Sequence, residues 1–238
     1  ANGDEIKIQR LQEFSPGDDF GDALHKSLME DFRKYCIIGG MPEAVQAYID
    51  TNSYLDVQRI LEGILATYQD DFSKYSGRVN QTLLRKAFSR IPLLVGQKIK
   101  YTNIDQRERS QNVANAMELL ELARIITRVT HTHANGVPLG GEVNRRDFKT
   151  LFLDVGLLCR ACRLDITEIL DTNELLMVNS GAICEQFIGQ HLLYNAPSYQ
   201  QPELYCWMRQ KAGTNSEVDY VIQHGTRIIP VEVKAGTT

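Results

Sequence analysis

The sequence predicts an α+β protein in which helices dominate the first half and strands become frequent toward the carboxyl end. Apolar residues recur at helical spacing in several segments before residue 125. β-branched segments with alternating side chains occur at residues 125–133 and again after residue 203. Helices followed by a run of strands favour an α+β arrangement. Hydrophobic residues make up 43% of the chain, as in globular proteins with a packed core.

The overall charge and the apolar runs exclude several classes of protein. The net charge of −4 gives no general attraction to nucleic acid or anionic membranes, so binding of either needs a local basic patch. No apolar run approaches the roughly 20 residues of a membrane-spanning helix. The first ten residues lack the basic and apolar parts of a secretory signal. Five scattered cysteines are typical of a reducing compartment, and we expect a cytoplasmic protein that does not bind membranes.

Residues 1–78 are predicted to form a small helical bundle. Apolar residues recur at four-residue spacing in the segment "FGDALHKSLMEDFRKYCII", and the Gly39-Gly40 pair ends this first helix. Pro42 suits the first turn of a second helix. A third helix follows Ser53, a residue type that caps helix amino termini. Such a bundle is typical of a helical spacer or lid.

Residues 79–160 follow the element order of a winged helix-turn-helix. Three helices are predicted, in "NQTLLRKAFSRI", "YTNIDQRER" and "SQNVANAMELLELARI", with Ser110 as the cap of the third. The alternating segment "IITRVTHTH" predicts a strand, "ANGVPLGGE" predicts a loop, and "RRDFKTLFLDVGLL" resumes apolar structure. Three helices, a strand, a flexible loop and a second strand are the order of a winged helix.

The same region carries a local excess of basic residues. Residues 98–149 hold nine Lys and Arg against six Asp and Glu. The third helix, however, exposes Asn112, Asn115 and Glu118 rather than a basic face. Winged helices bind either DNA or another protein, and both functions remain open. The candidate phosphate contacts are Arg107, Arg109, Arg124, Arg128, Arg145 and Arg146.

Residues 161–238 are predicted to form an α/β unit with acidic residues on one face of a hairpin. In "SEVDYVIQHGTRIIPVEVK", alternation places Glu217 and Asp219 on one face of the first strand and Tyr220 on the other. A two-residue turn at His224-Gly225 puts Glu217 directly opposite Glu232. Opposed glutamates repel each other unless the face is solvated or a cation lies between them. Both explanations remain open.

A further glutamate lies on the helix that precedes these strands. In "GAICEQFIGQHLL", Glu185 has helical spacing with Ile188, Gly189 and Leu192. A carboxylate on an apolar stripe is costly to bury unless it is paired or bound to a metal. The alternative is a boundary residue that reaches out to solvent. Oxygen ligands beside one lysine suit Mg²⁺ or Mn²⁺ rather than zinc.

The order of these groups resembles the PD-(D/E)xK nuclease-like superfamily. Its pattern is a helix glutamate, a strand aspartate and a strand Glu-x-Lys, and Glu185, Asp219, Glu232 and Lys234 match it in that order. The resemblance implies that the three carboxylates hold Mg²⁺ or Mn²⁺, which stabilises charge on a phosphate. It also implies that Lys234 orients or activates the attacking water. These four residues are therefore the expected catalytic site of a metal-dependent nuclease.

Nearly the whole chain, from about residue 20 onward, resembles the C-terminal half of a group of prokaryotic AAA-type ATPases. The resemblance rests on "GGMPEAV", "FLDVGLL", "GAICEQFI" and the segment from "EVDYVI" to "PVEVKAG". In that group a P-loop domain precedes a winged helix and a nuclease-like domain of unknown function. The helical region at residues 1–78 would then be lid-like. This chain contains no G-x-x-x-x-G-K-[ST], so the resemblance assigns ATP binding to the preceding domain.

The resemblance implies DNA and the protein's own ATPase domain as partners. The chain ends shortly after the Glu-x-Lys strand, so we expect a fragment with an incomplete nuclease-like fold. A nuclease-like fold does not by itself guarantee cleavage. The alternative is a non-catalytic module, with a vestigial nuclease fold, that binds DNA or protein or regulates the ATPase.

Overall fold

In the computed structural model, helices pack on one five-stranded β-sheet, which confirms the α+β prediction. None of the helices in the ranges that the structure describes is long and apolar enough to cross a membrane. The structure describes residues 5–15, 17–19, 21–75, 79–164, 166, 180–197, 199, 202–211 and 214–235.

Four helices form the amino-terminal region. They are α1 (Glu5–Glu13), α2 (Asp22–Ile38), α3 (Pro42–Thr51) and α4 (Tyr54–Asp71), and a 3₁₀ turn at Phe72–Tyr75 follows. The last three of these helices were predicted, and their boundary residues act as expected. Pro42 is the first residue of α3. The Ser53 hydroxyl accepts a hydrogen bond from the Asp56 N–H at 3.3 Å, which caps α4.

The middle segment has the predicted order of three helices and two strands. The Ser110 cap, however, is wrong, because Arg109 occupies the N-cap position and Ser110 is the first residue of the third helix. Its first turn closes where the N–H groups of Asn112 and Val113 donate to the Arg109 carbonyl. The elements are α5 (Gln81–Arg90), a 3₁₀ turn (Ile91–Leu94), α6 (Tyr101–Ile104), α7 (Ser110–Leu122), β1 (Ile126–Thr132), a 3₁₀ turn (Leu139–Glu142) and β2 (Val143–Phe152).

The carboxyl-terminal strands join the strands of the middle segment in one sheet. The strand order is β2-β1-β3-β4-β5, with β1 and β3 parallel and the other neighbours antiparallel. The expected boundary between residues 160 and 161 therefore falls between strands of a single sheet. The remaining elements are α8 (Val155–Ala161), α9 (Ser180–Tyr194), β3 (Leu204–Lys211), β4 (Thr214–His224) and β5 (Arg227–Val231).

Helices cover both faces of this sheet. On one face α9 packs so closely that a Cβ added to Gly189 would lie 2.5 Å from the Tyr220 hydroxyl and 2.7 Å from Leu151 Cδ1. Only glycine permits that approach. On the other face the rings of Phe88 on α5 and Phe152 on β2 lie 5.8 Å apart. The sheet is thus held between α9 and the helices of the middle segment.

Two buried glutamines fix α9 to the end of β2. The Gln186 amide donates to the Phe152 carbonyl and accepts from the Phe152 N–H, both at 2.8 Å. Gln190 accepts from the Val155 N–H at 3.0 Å and donates to the Tyr35 hydroxyl at 3.0 Å. These bonds satisfy backbone groups at the β2–α8 junction. They also determine where Glu185, the residue before Gln186, meets the sheet.

The loop between β1 and β2 packs against the carboxyl-terminal hairpin. Leu139 in this loop is buried. Its N–H donates to the Gln223 side chain on β4 at 3.4 Å, and its carbonyl accepts from the Thr132 hydroxyl at 3.0 Å. The loop in the position of a wing is therefore tied to the carboxyl-terminal strands.

Candidate functional site

A buried lysine on β2 lies at the centre of the predicted carboxylate cluster. Only 2% of the Lys149 side chain is exposed. Its ammonium donates to Glu185 Oε2 at 3.1 Å and to Asp219 Oδ1 at 2.9 Å. Glu217 Oε1 lies 3.6 Å from the same nitrogen. One cation from the middle segment therefore meets carboxylates from α9 and β4.

Asp219 is fully engaged by protein groups. Its side chain is only 6% exposed. Oδ1 accepts from Lys149, and Oδ2 accepts from the Val233 N–H at 2.9 Å. The aspartate therefore connects the buried ammonium to the backbone that follows β5.

A β-bulge directs Asp219 toward α9. Tyr205 pairs with Val221 and Trp207 with Val218, so β4 spends one more residue than β3 between these pairs. A bulge of this kind breaks strict alternation and re-aims a side chain. Asp219 meets the ammonium that also binds Glu185, and the Tyr220 hydroxyl donates to the Glu185 carbonyl at 2.7 Å. The prediction that alternation separates Asp219 from Tyr220 is therefore wrong here.

The hairpin turn lies one residue later than predicted. β4 and β5 are joined by Gly225-Thr226, and His224 pairs with Arg227. Pro230 therefore pairs with Val221, two residues from the expected partner Asp219. A shift of two residues keeps side chains on the same faces, whereas a shift of one would exchange them. The correction thus changes the pairing but not the face.

Glu232 and Lys234 lie at the surface, where they contact each other. Lys234 Nζ is 2.6 Å from Glu232 Oε1, and the two side chains are 64% and 46% exposed. The β4–β5 ladder ends at Val231, just before them. The structure therefore brings Glu185 and Asp219 together, while the described contacts of Glu232 lead to Lys234. Lys149, rather than Lys234, is the lysine that contacts both buried carboxylates.

The cluster changes the acidity of its members in a way that favours a buried charge pair. Burial raises the pKa of Glu185 to about 7, although Lys149 opposes this shift and Asp219 reinforces it. Burial by itself would lower the pKa of Lys149, but the carboxylates of Glu185, Asp219 and Glu217 outweigh burial and raise it. Lys149 therefore carries a positive charge at neutral pH.

The loop after the 3₁₀ turn at Ile91–Leu94 closes the cluster on the side of Glu185. Gly96 has a φ of +79°, and a Cβ added there would lie 3.1 Å from Glu185 Oε1. Glycine adopts this conformation without strain and leaves room for the carboxylate. The middle segment thus contributes both Lys149 and the backbone beside Glu185.

The geometry does not fit the Mg²⁺ or Mn²⁺ site that the nuclease resemblance implies. The ammonium of Lys149 lies between Glu185 and Asp219, where a cation would need to bind both carboxylates. The second Asp219 oxygen accepts from the backbone, and Glu232 pairs with Lys234 at the surface. Across the described residues, no group of three or more His, Cys, Asp or Glu is placed to hold a metal ion.

Lys149 and Glu217 are the members of the cluster that sequence reasoning did not assign to the site. Lys149 stands in "DFKTLFL", where its neighbours are apolar or β-branched. A lysine inside a buried strand is costly unless carboxylates pair with it. The reasoning applied to Glu185 would therefore also have identified Lys149, because each is a charged residue on an apolar face.

The predicted phosphate-binding arginines fall into two groups. Arg128 and Arg145 line one surface groove together with Arg124. Arg107, Arg109 and Arg146 are exposed and are not part of its lining. DNA contact by any of these residues stays a prediction.

Two family models match the chain. Domain of unknown function (DUF8612) matches residues 29–168, and Domain of unknown function (DUF4143) matches residues 180–238. Neither a curated protein nor a solved structure gives a significant match. The first family model covers the amino-terminal helices, β1, β2 and α8, and the second covers α9 with the carboxyl-terminal strands. Because the first match spans more than half of the chain, the protein belongs to the DUF8612 family.

Proposed function

We propose that this chain is a non-catalytic interaction module and the C-terminal part of an AAA-type ATPase. The observation that carries the proposal is the buried Lys149 ammonium between Glu185 and Asp219. The match to DUF4143 supports the ATPase context, because that domain is commonly found at the C-terminus of AAA-type ATPases. In this proposal the nuclease-like residues form a structural ion-pair cluster.

The charge arrangement favours this function over phosphodiester hydrolysis. A nuclease of the PD-(D/E)xK kind needs its carboxylates free to hold a cation that stabilises the phosphate. Here Lys149 binds the two buried carboxylates, and its charge compensates them without a metal. The lysine belongs to β2, whereas its partners belong to α9 and β4. The cluster therefore joins the middle segment to the carboxyl-terminal unit.

The partners of the module follow from the same proposal. ATP binding belongs to a separate P-loop domain, and the module docks on that domain. The winged helix-turn-helix order of α5–α7, β1 and β2 supports a role in binding DNA or protein. The docked β1–β2 loop favours an internal structural role for this wing.

Metal binding and cleavage test the non-catalytic assignment. The 238-residue chain should show no Mg²⁺- or Mn²⁺-dependent cleavage of single-stranded, duplex or branched DNA. Calorimetry should detect no specific binding of either ion. Metal-dependent cleavage that disappears in both Asp219→Ala and Lys234→Ala would overturn the proposal, because those residues are the expected metal ligand and catalytic lysine.

A substitution of Lys149 tests the structural role of the cluster. Lys149→Met removes the ammonium and leaves buried carboxylates without their cation, so the free energy of unfolding should fall by about 3–5 kcal/mol. Urea denaturation measures this loss. Lys234→Met is the matched control, because Lys234 is exposed and should leave the midpoint unchanged. Equal midpoints for Lys149→Met and the wild type would contradict the structural role.

A further inference from the structure

A second polar site lies on the face of the sheet opposite Lys149. Val129 pairs with Lys149, and alternation turns the neighbouring Arg128 to the other face. There the end of α7, β1, β2 and residues 202–205 enclose a groove of about 360 Å³. Its lining includes Arg124, Arg128, Arg145, Thr127, Thr130 and Tyr205.

Arg128 is held in place at the wall of this groove. Its Nε lies 2.8 Å from Glu121 Oε2, and its guanidinium carbon lies 4.8 Å from the centre of the Phe148 ring. Stacking on an aromatic ring and one carboxylate contact fix the plane of the guanidinium. Within the described part of the chain its two terminal nitrogens make no hydrogen bond to protein. They remain available as donors.

Arg124 and Arg145 add positive charge that no carboxylate compensates. Both are exposed, and neither forms an ion pair or side-chain hydrogen bond with any residue that the structure describes. The two glutamates of the lining are already engaged, since Glu121 contacts Arg128 and Glu203 accepts from the Tyr205 hydroxyl. The groove therefore combines three guanidiniums with a surplus of positive charge.

The backbone at Arg124 adds an independent observation. Arg124 has a φ of 60°, in the left-handed region just after α7. Its N–H donates to the Glu121 carbonyl, and the Ile125 N–H donates to the Leu120 carbonyl. Glycine is the residue usually found at such a helix end. An arginine here places a guanidinium at the groove in spite of an unfavourable backbone conformation.

We infer that this groove binds a phosphate group, carried by a nucleic-acid strand or by a free nucleotide. Guanidinium forks match the geometry and charge of phosphate oxygens. The Thr127 and Thr130 hydroxyls of the lining provide further donors. The volume of about 360 Å³ lies in the range of small-ligand sites. This site is separate from the Lys149 cluster and does not depend on the proposed absence of catalysis.

Two substitutions and one control test the groove. Arg124→Gly removes a guanidinium and installs the residue that best tolerates a φ of 60°. Arg145→Ala removes a second, exposed guanidinium. Arg146→Ala is the matched control, because Arg146 has the same charge and exposure but does not line the groove. Urea denaturation should show that all variants fold.

Fluorescence anisotropy with labelled single-stranded and duplex oligonucleotides at low salt measures binding to the 238-residue chain. The Arg124→Gly/Arg145→Ala double variant should lose about tenfold or more in affinity, and its salt dependence should weaken by one to two phosphate contacts, roughly 0.7–0.9 per contact in log–log slope. Arg146→Ala should lose less than about twofold.

Two competition arms identify the source of the phosphate. Inorganic phosphate should displace the oligonucleotide at millimolar concentrations if the groove recognises the phosphate itself. If calorimetry detects a nucleoside monophosphate but anisotropy detects no oligonucleotide, the site takes a free nucleotide and the inference stands. Binding of neither ligand would overturn it, as would an equal loss of affinity in Arg146→Ala and Arg145→Ala. Cleavage of DNA would contradict the proposed function but not this inference.

Discussion

Lys149 can hold its charge in the interior because carboxylates from Glu185, Asp219 and Glu217 approach its ammonium. Transfer of an unpaired ammonium out of water costs several kcal/mol, and removing one partner of a buried pair leaves that cost uncompensated. The pair does not need to exceed an apolar replacement in stability to be retained. Its effect on this fold is to require that β2, α9 and β4 meet in one arrangement.

Glu185 should make the stability of the protein depend on pH. Its pKa in the folded protein is about 7, above its ordinary value of 4.5. Between these values the folded state binds the proton more tightly than the unfolded state, so the free energy of unfolding falls as pH rises from about 4.5 to about 7. We expect Glu185→Gln to remove on the order of 2–3 kcal/mol of this decline. Urea denaturation at intervals from pH 4.5 to pH 8 measures it.

Glu232→Gln serves as the control for this pH dependence. Glu232 is a surface glutamate of the same predicted site, paired with Lys234. Its substitution should leave the wild-type decline between pH 4.5 and pH 7 in place. Identical pH profiles for Glu185→Gln and the wild type would show that Glu185 does not hold a proton in this range.

Helix α9 combines the ion pair and the sheet contact on neighbouring faces. Glu185 and Gly189 are four residues apart, as are Gln186 and Gln190, so each pair lies on one side of the helix. The first pair faces Lys149 and Tyr220, and the second pair binds the backbone at the β2–α8 junction. The helix therefore cannot move from the sheet without breaking both sets of contacts.

Gly189→Ala should separate α9 from the sheet. The added methyl group would lie 2.5 Å from the Tyr220 hydroxyl, which itself bonds the Glu185 carbonyl. We expect a loss of about 1–3 kcal/mol in the free energy of unfolding, as for other overpacked interiors. Gly181→Ala is the matched control on the same helix, because no atom lies within 4 Å of its added Cβ. Thermal or urea denaturation of both variants gives the comparison, and equal stabilities would refute the close contact.

The whole molecule is organised around a sheet that both matched families share. DUF8612 contributes β1 and β2, and the region matched by DUF4143 contributes β3, β4 and β5. The parallel β1–β3 ladder, the Lys149 cluster and the Leu139–Gln223 hydrogen bond all cross between the two parts. The two families are thus joined by backbone, charge and loop contacts.

These connections predict a single cooperative unfolding transition. Trp207, the only tryptophan of the chain, lies on β3 and reports on the carboxyl-terminal unit by fluorescence. Circular dichroism in the far ultraviolet reports mainly on helices, most of which precede that unit. The two probes should give the same urea midpoint. Midpoints that differ beyond error would show that the two parts unfold separately.

Local patterns in the sequence were sufficient to predict most elements. Helices α2–α5 and α9 follow from apolar spacing together with boundary residues such as Pro42 and Ser53, because these act over one or two turns. The alternating segments predicted β1, β3 and the β4–β5 hairpin for the same reason. The sequence by itself also identified Glu185 and Asp219 as unusual, because a carboxylate among apolar residues requires a partner.

Only the tertiary structure decided which partner those carboxylates have. Lys149 is 36 residues from Glu185 and 70 from Asp219, and no local rule connects positions so distant. The bulge at Asp219 and the parallel β1–β3 pairing bring them together, and both depend on long-range backbone contacts. Face alternation and turn length favoured Glu232 and Lys234, which are near Asp219 in sequence. The interior selected Lys149 instead, because a buried carboxylate gains most from a cation that is buried with it.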